Sequence, residues 1–390
     1  MKIKTNGGVY VADNIYSIHS KHTGMLEMES EFPVKNREEL SEAYTPGVAE
    51  ISKAIEKDPS LKDKYTMSGK LLAVVTDGSA VLGLGNIGPA AGLPVVEGKA
   101  LLYKDLASVN ALPVAIEQED ASKMAAHIKS IQDTFAGIHL EDIAAPKCFE
   151  LEDILSKNLD IPVYHDDQEG TAIVVLAGLI NAAKVVGKKL KDLKIVINGV
   201  GASGVATATL LEHVGIKDIT LVDIDGVVKP DSQNYNSYQT GLAKALNGKE
   251  GQTLDDVIDG QDVFIGLSDA NVLSTSQVKR MANNPIIFAL ANPVPEIIPE
   301  DAKAGGAKVV ATGSSKYPNQ VNNILVFPGL FKGLLKSGIK KVTYQIEEVV
   351  ADALASMISD PTPDKIVPGV FDENVVKTVT DSIMKYSEKG

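Results

Sequence analysis

A glycine-rich stretch between two apolar strands constrains the fold of this chain more than any other feature. Residues 194–198 form a β-prone run, Gly199-Val-Gly201-Ala-Ser-Gly204 follows, residues 205–213 have a helical pattern, and residues 219–222 form a strand that ends at Asp223. A lone Gly-x-Gly-x-x-Gly is a weak signal. Strand, glycines, helix, strand and acid in this order are typical of a Rossmann-like dinucleotide-binding unit. The alternative for the glycines is a plain tight turn.

The residues of this loop have separate expected roles. Gly199 permits the tight turn, and Gly201 lets a pyrophosphate approach the amides at the helix N-terminus. Gly204 allows the helix and the strand to pack closely, and Ser203 lies in the same cofactor-binding loop. The sequence therefore predicts cofactor contacts along this whole loop.

Asp223 indicates which dinucleotide binds. A carboxylate at this strand end can accept hydrogen bonds from the hydroxyls of the adenosine ribose, and it would repel a 2′-phosphate. Ile224 and Asp225 follow it and supply no compensating arginine. The sequence therefore predicts NAD rather than NADP.

Three further strands continue the pattern at residues 263–266, 286–290 and 309–312, separated by helix-sized intervals. Such alternation predicts a doubly wound parallel sheet. Asn292 follows the second of these strands, and Asn322-Asn323 lie in the loop after the third. Amides at strand ends can bind carboxylates, although asparagine is equally common in ordinary turns.

The first half of the chain has its own alternation of strands and helices. Strands are predicted at residues 71–75, 113–116 and 138–143, and helices at residues 90–107 and 120–135. The pattern predicts an α/β chain with an N-terminal substrate domain over residues 1–160 and a doubly wound, Rossmann-like NAD-binding domain over residues 161–390. The helical patterns near the C-terminus belong to the second domain or pack back on the first.

Two pairs of acids follow predicted strands. Glu141 and Asp142 fall at the end of the strand 138–143, and Asp166 and Asp167 follow a short strand at 161–164. Because parallel strand ends can converge, the four carboxylates can meet, and oxygen ligands without cysteine or paired histidine suit Mg²⁺ or Mn²⁺. The alternative for an Asp pair alone is a solvated turn whose acids favour the helix dipole.

The neighbours of these acids give further expectations. Thr171 suits the N-cap of an apolar helix, and His165 is expected to form hydrogen bonds at the strand end. Lys99 lies in an apolar helical pattern. Partial desolvation there would lower its pKa towards the range of a catalytic base, whereas the alternative is a surface lysine with its head in water.

Composition excludes several classes of function. The formal net charge of −13 disfavours nucleic acid as a partner. The apolar run at residues 172–186 is too short to span a bilayer, and residues 1–8 lack the pattern of an export signal, so we expect no membrane partner. The single cysteine, Cys148, fits a reducing cytoplasm and is expected to be a half-buried thiol on a helix.

Seven motifs, in order along the chain, match one known family. They are Tyr44-Thr-Pro-Gly-Val-Ala, Thr76-Asp-Gly-Ser-Ala-Val-Leu-Gly-Leu-Gly-Asn-Ile-Gly, Glu97-Gly-Lys99, Glu141-Asp142-Ile-Ala-Ala-Pro, His165-Asp-Asp-Gln-Glu-Gly-Thr-Ala, Asn292-Pro and Asn322-Asn323. On these residues the chain resembles the malic enzyme family from about Tyr44 to the helix after Asn323. Its length is similar to that of the short bacterial form.

The resemblance implies oxidative decarboxylation of L-malate to pyruvate and CO₂, with hydride transfer to NAD and a divalent cation, Mg²⁺ or Mn²⁺. It implies that Lys99 is the base, Asp166 its ion-pair partner and Tyr44 the acid. The implied metal ligands are Glu141, Asp142 and Asp167. The implied contacts to the substrate carboxylate and the cofactor carboxamide come from Asn292 and Asn323. The resemblance also implies a homodimer.

Two positions differ from the family pattern. Larger members place an arginine where this chain has Val81, and the histidine that commonly follows Asp-Asp-Gln in the family is Glu169 here. The main alternative function is an oxaloacetate decarboxylase on the same scaffold, because decarboxylation needs the metal, Lys99 and Tyr44 but not the hydride step. An amino-acid dehydrogenase and a non-catalytic NAD sensor are further alternatives, and neither accounts for the clustered acids.

Overall fold

The computed structural model describes residues 12–21, 23–81 and 83–389. Its strands are β1 Leu71–Thr76, β2 Asn110–Ala115, β3 Gly137–Leu140, β4 Val163–His165, β5 Ile195–Asn198, β6 Ile219–Asp223, β7 Gly226–Val227, β8 Val263–Gly266, β9 Ile286–Ala289 and β10 Val309–Thr312. Its helices are α1 Ala12–Lys21, α2 Arg37–Ala43, α3 Gly47–Lys57, α4 Lys62–Tyr65, α5 Pro89–Ala107, α6 Ala121–Ile131, α7 Lys147–Asn158, α8 Thr171–Val185, α9 Ala202–His213, α10 Ser237–Ala245, α11 Leu254–Val257, α12 Thr275–Val278, α13 Pro299–Ala304, α14 Phe327–Ser337, α15 Tyr344–Ser356 and α16 Val375–Ser387.

The first sheet has four parallel strands in the order β2-β1-β3-β4. Every residue of β1 and β3 is buried, which explains their continuous apolar runs. The chain runs from β1 to β2 on one side and then to β3 on the other side of β1, so the sheet has a topological switch point between β1 and β3. Ligands of open α/β sheets bind at the carboxyl ends of the strands at such a point.

The second sheet has six strands in the order β10-β9-β8-β5-β6-β7, and only the short β7 is antiparallel. Its switch point lies between β5 and β8, where the glycine-rich loop leaves β5. The α/β fold class with a doubly wound parallel sheet is therefore confirmed.

Helix α8 connects the last strand of the first sheet to the first strand of the second and is mostly apolar. Eleven of its fifteen residues are buried, which matches its unbroken apolar sequence. Helix α14 from the C-terminal half packs against the first sheet, because the rings of Phe327 and Phe331 lie 5.6 and 6.3 Å from that of His139 on β3. Strand β4 also pairs within the first sheet, beyond residue 160. The domain boundary between residues 160 and 161 stays a prediction.

Several local predictions need correction. The strand predicted at residues 138–143 ends at Leu140, so Glu141 and Asp142 lie in the loop after it. Thr171 is the first residue of α8 rather than its N-cap, because a π-helical turn over Asp166–Gly170 runs directly into the helix. Cys148 is fully buried on α7, not half-buried.

Among the described residues, no helix is both long and apolar enough to cross a bilayer. The expectation about an export signal at residues 1–8 lies outside the described residues. The cytoplasmic location stays a prediction.

Candidate active site

The four predicted acids meet at the carboxyl ends of β3 and β4. Oxygen atoms of Glu141, Asp142 and Asp167 all lie within 4.8 Å of one another. The backbone N–H of Asp142 donates to Oδ2 of Asp167 at 2.8 Å, which joins the two loops. Asp142 has a φ of 56°, a left-handed conformation that turns the chain sharply after the strand. The structure therefore brings the predicted metal ligands together.

Lys99 on α5 contacts the remaining acid. Its ammonium group forms an ion pair with Asp166, lies 3.2 Å from Oε1 of Glu141, and donates to Oδ1 of Asn323 at 3.5 Å. The lysine side chain is 13% exposed, so a small substrate could still reach it. The predicted base, its predicted partner and one of the two predicted asparagines are therefore neighbours.

The expected lowering of the Lys99 pKa is wrong for this arrangement. Burial of the ammonium does act to lower its pKa, but the charges of Asp166 and Glu141 and the hydrogen bond to Asp166 outweigh it, and the net pKa is raised. The same contacts act on Glu141, where burial favours the neutral acid but Lys99 and His139 lower the pKa overall. The sequence around Lys99 predicted its desolvation. It contained no information about the two carboxylates that approach from the ends of distant strands.

A buried hydrogen-bond chain behind Glu141 was not predicted from the sequence. His139 Nε2 lies 2.7 Å from Oε2 of Glu141, and Tyr103 Oη lies 2.8 Å from His139 Nδ1. On the other side, the hydroxyl of Tyr164 donates to Oδ1 of Asp166 at 2.6 Å. The spacing in the sequence contained a signal: His139 on β3 is two residues before Glu141, and Tyr103 is four residues after Lys99 on the same helix.

The π-helical turn gives Asp166 and Asp167 different partners. Asp166 faces Lys99 and Tyr164, whereas Asp167 accepts from the Asp142 backbone. Gly170 ends this turn, and a Cβ there would collide with the carboxylate of Asp166 and the hydroxyl of Tyr164. π-Helical turns are rare and often mark functional sites. The glycine is therefore required for the close approach of these groups.

The donor set at Glu141, Asp142 and Asp167 fits a divalent cation. Burial and then the charges of Glu141 and Asp142 raise the pKa of Asp167 well above its usual range, because three carboxylates repel one another. A divalent cation would relieve that repulsion, and carboxylate oxygens suit Mg²⁺ and Mn²⁺. His165 plays no hydrogen-bonding part through its ring: neither ring nitrogen bonds to any residue that the structure describes.

Glu169 points to a different group of acids. Its carboxylate accepts from the backbone N–H of His165 at 2.6 Å, and burial followed by the charges of Glu152 and Glu347 raises its pKa well above the usual range. It is therefore a neighbour of the metal acids in sequence only. Val81 is buried in a tight turn closed by its own N–H and the carbonyl of Gly85, so its side chain is not available to a substrate.

The glycine-rich loop has the geometry that a pyrophosphate needs. Gly199 has a φ of +99°, and a Cβ there would collide with the carbonyl of Leu267 after β8. A Cβ at Gly204 would collide with the carbonyl of Gly199, so helix and loop touch. At Gly201 the space for a Cβ is open, and Ser203 beside it is half-buried on the first turn of α9. The free space lies at a helix N-terminus, where anions bind.

Two predicted residues lie at the edges of this cleft. Asp223 ends β6, and its Oδ2 accepts from Gln239 Nε2 at 3.1 Å. Asn292 follows β9. Its backbone carbonyl oxygen lies 3.5 Å from the point where a Cβ on Gly83, in the glycine-rich loop of the first half, would stand. These positions fit a nucleotide that reaches from the second sheet towards the acids of the first.

Two family profiles cover most of the chain. Residues 24–127 match the profile "Malic enzyme, N-terminal domain", and residues 168–387 match "Malic enzyme, NAD binding domain". The chain belongs to the malic enzyme family. The resemblance drawn from the seven motifs is confirmed.

Relatives of the malic enzyme family match over nearly the whole chain. A Bacillus subtilis protein named bifunctional malic/malolactic enzyme is 47% identical and covers 94% of this chain and 91% of its own length. A Geobacillus stearothermophilus protein named NAD-dependent malic enzyme is 44% identical over 97% of this chain and 79% of its own. The crystal structure of the NAD-dependent malic enzyme from Thermotoga maritima superposes with a TM-score of 0.92 at 41% identity, covering 95% of this chain and 98% of that one.

Tyr44, the implied acid of the malic enzyme machinery, forms no side-chain hydrogen bond to Lys99 or to the four acids among the described residues. Its side chain is 66% exposed. Its described hydrogen bonds are backbone contacts to Leu40 and Val48 within the pair of helices α2 and α3. The structure therefore shows no contact within one chain between Tyr44 and Lys99 or the described acids.

Proposed function

We propose that this enzyme converts L-malate to pyruvate and CO₂ and transfers the hydride to NAD, with the help of Mg²⁺ or Mn²⁺. The observation that carries the proposal is the pairing of Lys99 with Asp166 beside the converging oxygens of Glu141, Asp142 and Asp167. A half-buried cation beside a set of hard oxygen ligands is suited to a substrate that offers both a hydroxyl and carboxylates.

Each polar residue of the site then has a role in the reaction. Lys99 takes the proton from the C2 hydroxyl of malate as the C2 hydride leaves, and Asp166 holds the lysine in place. Loss of CO₂ from the carboxylate attached to C3 leaves the enolate of pyruvate, and one proton from Tyr44 to its C3 gives pyruvate. Asn323 beside Lys99 orients the substrate carboxylate, and Asn292 at the second sheet holds the cofactor carboxamide or the same carboxylate.

The metal ligands in this proposal are Glu141, Asp142 and Asp167. When bound there, a divalent cation supplies positive charge that polarises the substrate oxygens and offsets the carboxylates that raise the pKa of Lys99. The buried chain from Tyr103 through His139 to Glu141 holds that ligand in a fixed orientation. A lysine whose pKa is lowered in this way can accept the proton of the substrate hydroxyl.

NAD is the proposed acceptor because Asp223 stands where the ribose hydroxyls of the adenosine would lie. Glycines 199, 201 and 204 leave the pyrophosphate its space. We further propose a homodimer that works in the cytoplasm, with malate and pyruvate as its small-molecule substrates.

Initial rates with malate test the proposal directly. Malate, NAD and Mn²⁺ should yield NADH and pyruvate in equal amounts, with a lower rate for NADP and a loss of rate with a chelator. Pyruvate formed from oxaloacetate, without NADH formation from malate, would instead favour the decarboxylase alternative. Lactate should be measured in the same reactions, because the Bacillus relative is named a malic/malolactic enzyme.

A further inference from the structure

Glu296 is a fully buried acid in the loop after β9, and it lies outside the seven motifs. Its Oε1 accepts a hydrogen bond from the backbone N–H of Ser268, and its Oε2 accepts one from the backbone N–H of Ala291, both at 3.0 Å. Ser268 follows β8, and Ala291 follows β9. The carboxylate of Glu296 therefore joins the loops that leave these two strands.

The loop after β5 reaches the same point. The side chain of Asn198, the last residue of β5, donates to Oγ of Ser268 at 2.6 Å. A Cβ on Gly199 would stand only 2.8 Å from the backbone nitrogen of Ser268, so the glycine-rich loop touches the loop after β8. Strands β5 and β8 flank the switch point of the second sheet. Glu296 therefore lies beneath the edge at which α/β sheets bind their ligands.

A carboxylate is energetically unfavourable at this position. Burial raises the pKa of Glu296, and the hydrogen bonds from the amides of Ser268 and Ala291 offset only part of that rise. No cation among the described residues forms an ion pair with it, so its charge is stabilised by N–H groups alone. A buried charge without an ion partner costs free energy that a neutral side chain would not. Groups of this kind are concentrated at functional sites.

The residue that Glu296 fixes most directly is Asn292, because Ala291 immediately precedes it in the chain. The backbone carbonyl of Asn292 lies 3.5 Å from the Cβ position of Gly83, so this loop borders the first half of the chain. Glu296 has no exposed surface and cannot itself touch a cofactor or a substrate. Any effect on the reaction must pass through the loops that its carboxylate holds.

We propose that Glu296 is a positioning residue for hydride transfer, which holds the loops after β8 and β9 so that Asn292 meets the nicotinamide half of NAD. The inference rests on the proposed function, because only hydride transfer needs the nicotinamide ring at a fixed distance from the substrate. The adenosine and pyrophosphate of the cofactor bind at the glycine-rich loop and at Asp223, so their binding should not depend on Glu296.

Two substitutions test this role. Glu296→Gln keeps the size of the side chain but replaces one acceptor oxygen with an NH₂ group, which cannot bond to a backbone N–H. Glu296→Asp keeps the charge but is one methylene shorter. We expect Glu296→Gln to lower kcat for NADH formation from malate by about 10- to 100-fold, and Glu296→Asp to lower it less, because small displacements of positioning groups slow the chemical step.

ADP-ribose, which lacks the nicotinamide ring, separates positioning from a general structural defect. Its dissociation constant, measured by titration calorimetry, should be the same in both variants and in the wild type. A structural defect would weaken ADP-ribose binding and turnover together. Glu300→Gln is the matched control, because Glu300 is an exposed acid four residues later on α13 and should keep wild-type kcat.

Two results would overturn the inference and leave the proposed function intact. One is wild-type kcat in Glu296→Gln. The other is a loss of folding or of ADP-ribose binding in both variants, which would make Glu296 a structural residue only. A wild type that forms no NADH from malate would overturn the proposed function and this inference together.

Discussion

Asp223 is the residue whose replacement should most change the choice of cofactor. It ends β6, the strand beside β5, and Gln239 holds its carboxylate while also donating to the carbonyl of Val200 at 2.8 Å. Asp223→Ser removes the charge but leaves Gln239 anchored to the loop. Ile224 is 94% exposed, so Ile224→Arg adds a cation without loss of core packing.

The size of the effect follows from the contacts that are lost. A hydrogen bond to a charged group contributes about 1.5–3 kcal/mol, which corresponds to a fall of about 10- to 150-fold in kcat/KM for NAD. The carboxylate also repels a 2′-phosphate by about 1–4 kcal/mol at close range, depending on solvent exposure, so its removal should raise kcat/KM for NADP. The double variant should therefore change the NAD:NADP ratio by about 100-fold or more.

Initial rates at saturating malate and Mn²⁺, with each cofactor varied, measure this ratio. Asp225→Ser is the matched control, because Asp225 is exposed two residues later and should leave the ratio unchanged. If Asp223→Ser keeps the wild-type ratio, the carboxylate does not contact the ribose and the argument is refuted.

Three other predictions follow from the site and its surroundings. Lys99→Ala should lower kcat by about 100-fold or more, because it removes a proton acceptor, while NAD titrations keep the wild-type affinity; exposed Lys104→Ala should have no effect. Mn²⁺ should raise the melting temperature of the wild type, and Asp167→Asn should lose most of that rise because a ligand is missing; an equal rise in both would exclude Asp167 as a ligand. Burial and then the charge of Glu152 raise the pKa of Glu347 from 4.5 to about 8. Between pH 4.5 and 8 the folded protein keeps a proton on Glu347 that the unfolded chain loses, so the free energy of unfolding falls as the pH rises. Glu347→Gln should therefore stabilise the protein by about 1–3 kcal/mol at pH 8 and little at pH 5. Denaturant unfolding at the two pH values would measure this difference.

The nucleotide loop could be predicted because its requirements are local. Gly199 and Gly204 have no room for a side chain, and the strand before them and the helix after them are visible in the sequence. The convergence of Glu141 with Asp167 could also be predicted, because parallel strands end at the same edge of a sheet.

The remaining features depend on packing between distant elements. The pKa of Lys99 depends on Asp166 and Glu141, which follow two distant strands, and the helical pattern around the lysine contains no information about them. The contact from Tyr103 to His139 joins α5 to β3, whereas the sequence pattern contains only the spacing within each element. Threonine is a common N-cap residue, so Thr171 was predicted to cap the helix. The π-helical turn before it is already helical, so the chain has no free helix start at Thr171.

The π-helical turn over Asp166–Gly170 also bears on how this site tolerates change. Each residue of an α-helix turns the chain by about 100° around the helix axis. One extra residue in a turn therefore rotates the residues before it by about that angle relative to the rest of the helix. Helix α8 is buried on all sides and cannot rotate to compensate. The wide turn therefore lets Asp166 and Asp167 point in directions that a continuous α-helix would not allow. Deleting one residue of this turn would move a ligand further than most substitutions could, so length, as much as chemistry, defines this part of the enzyme.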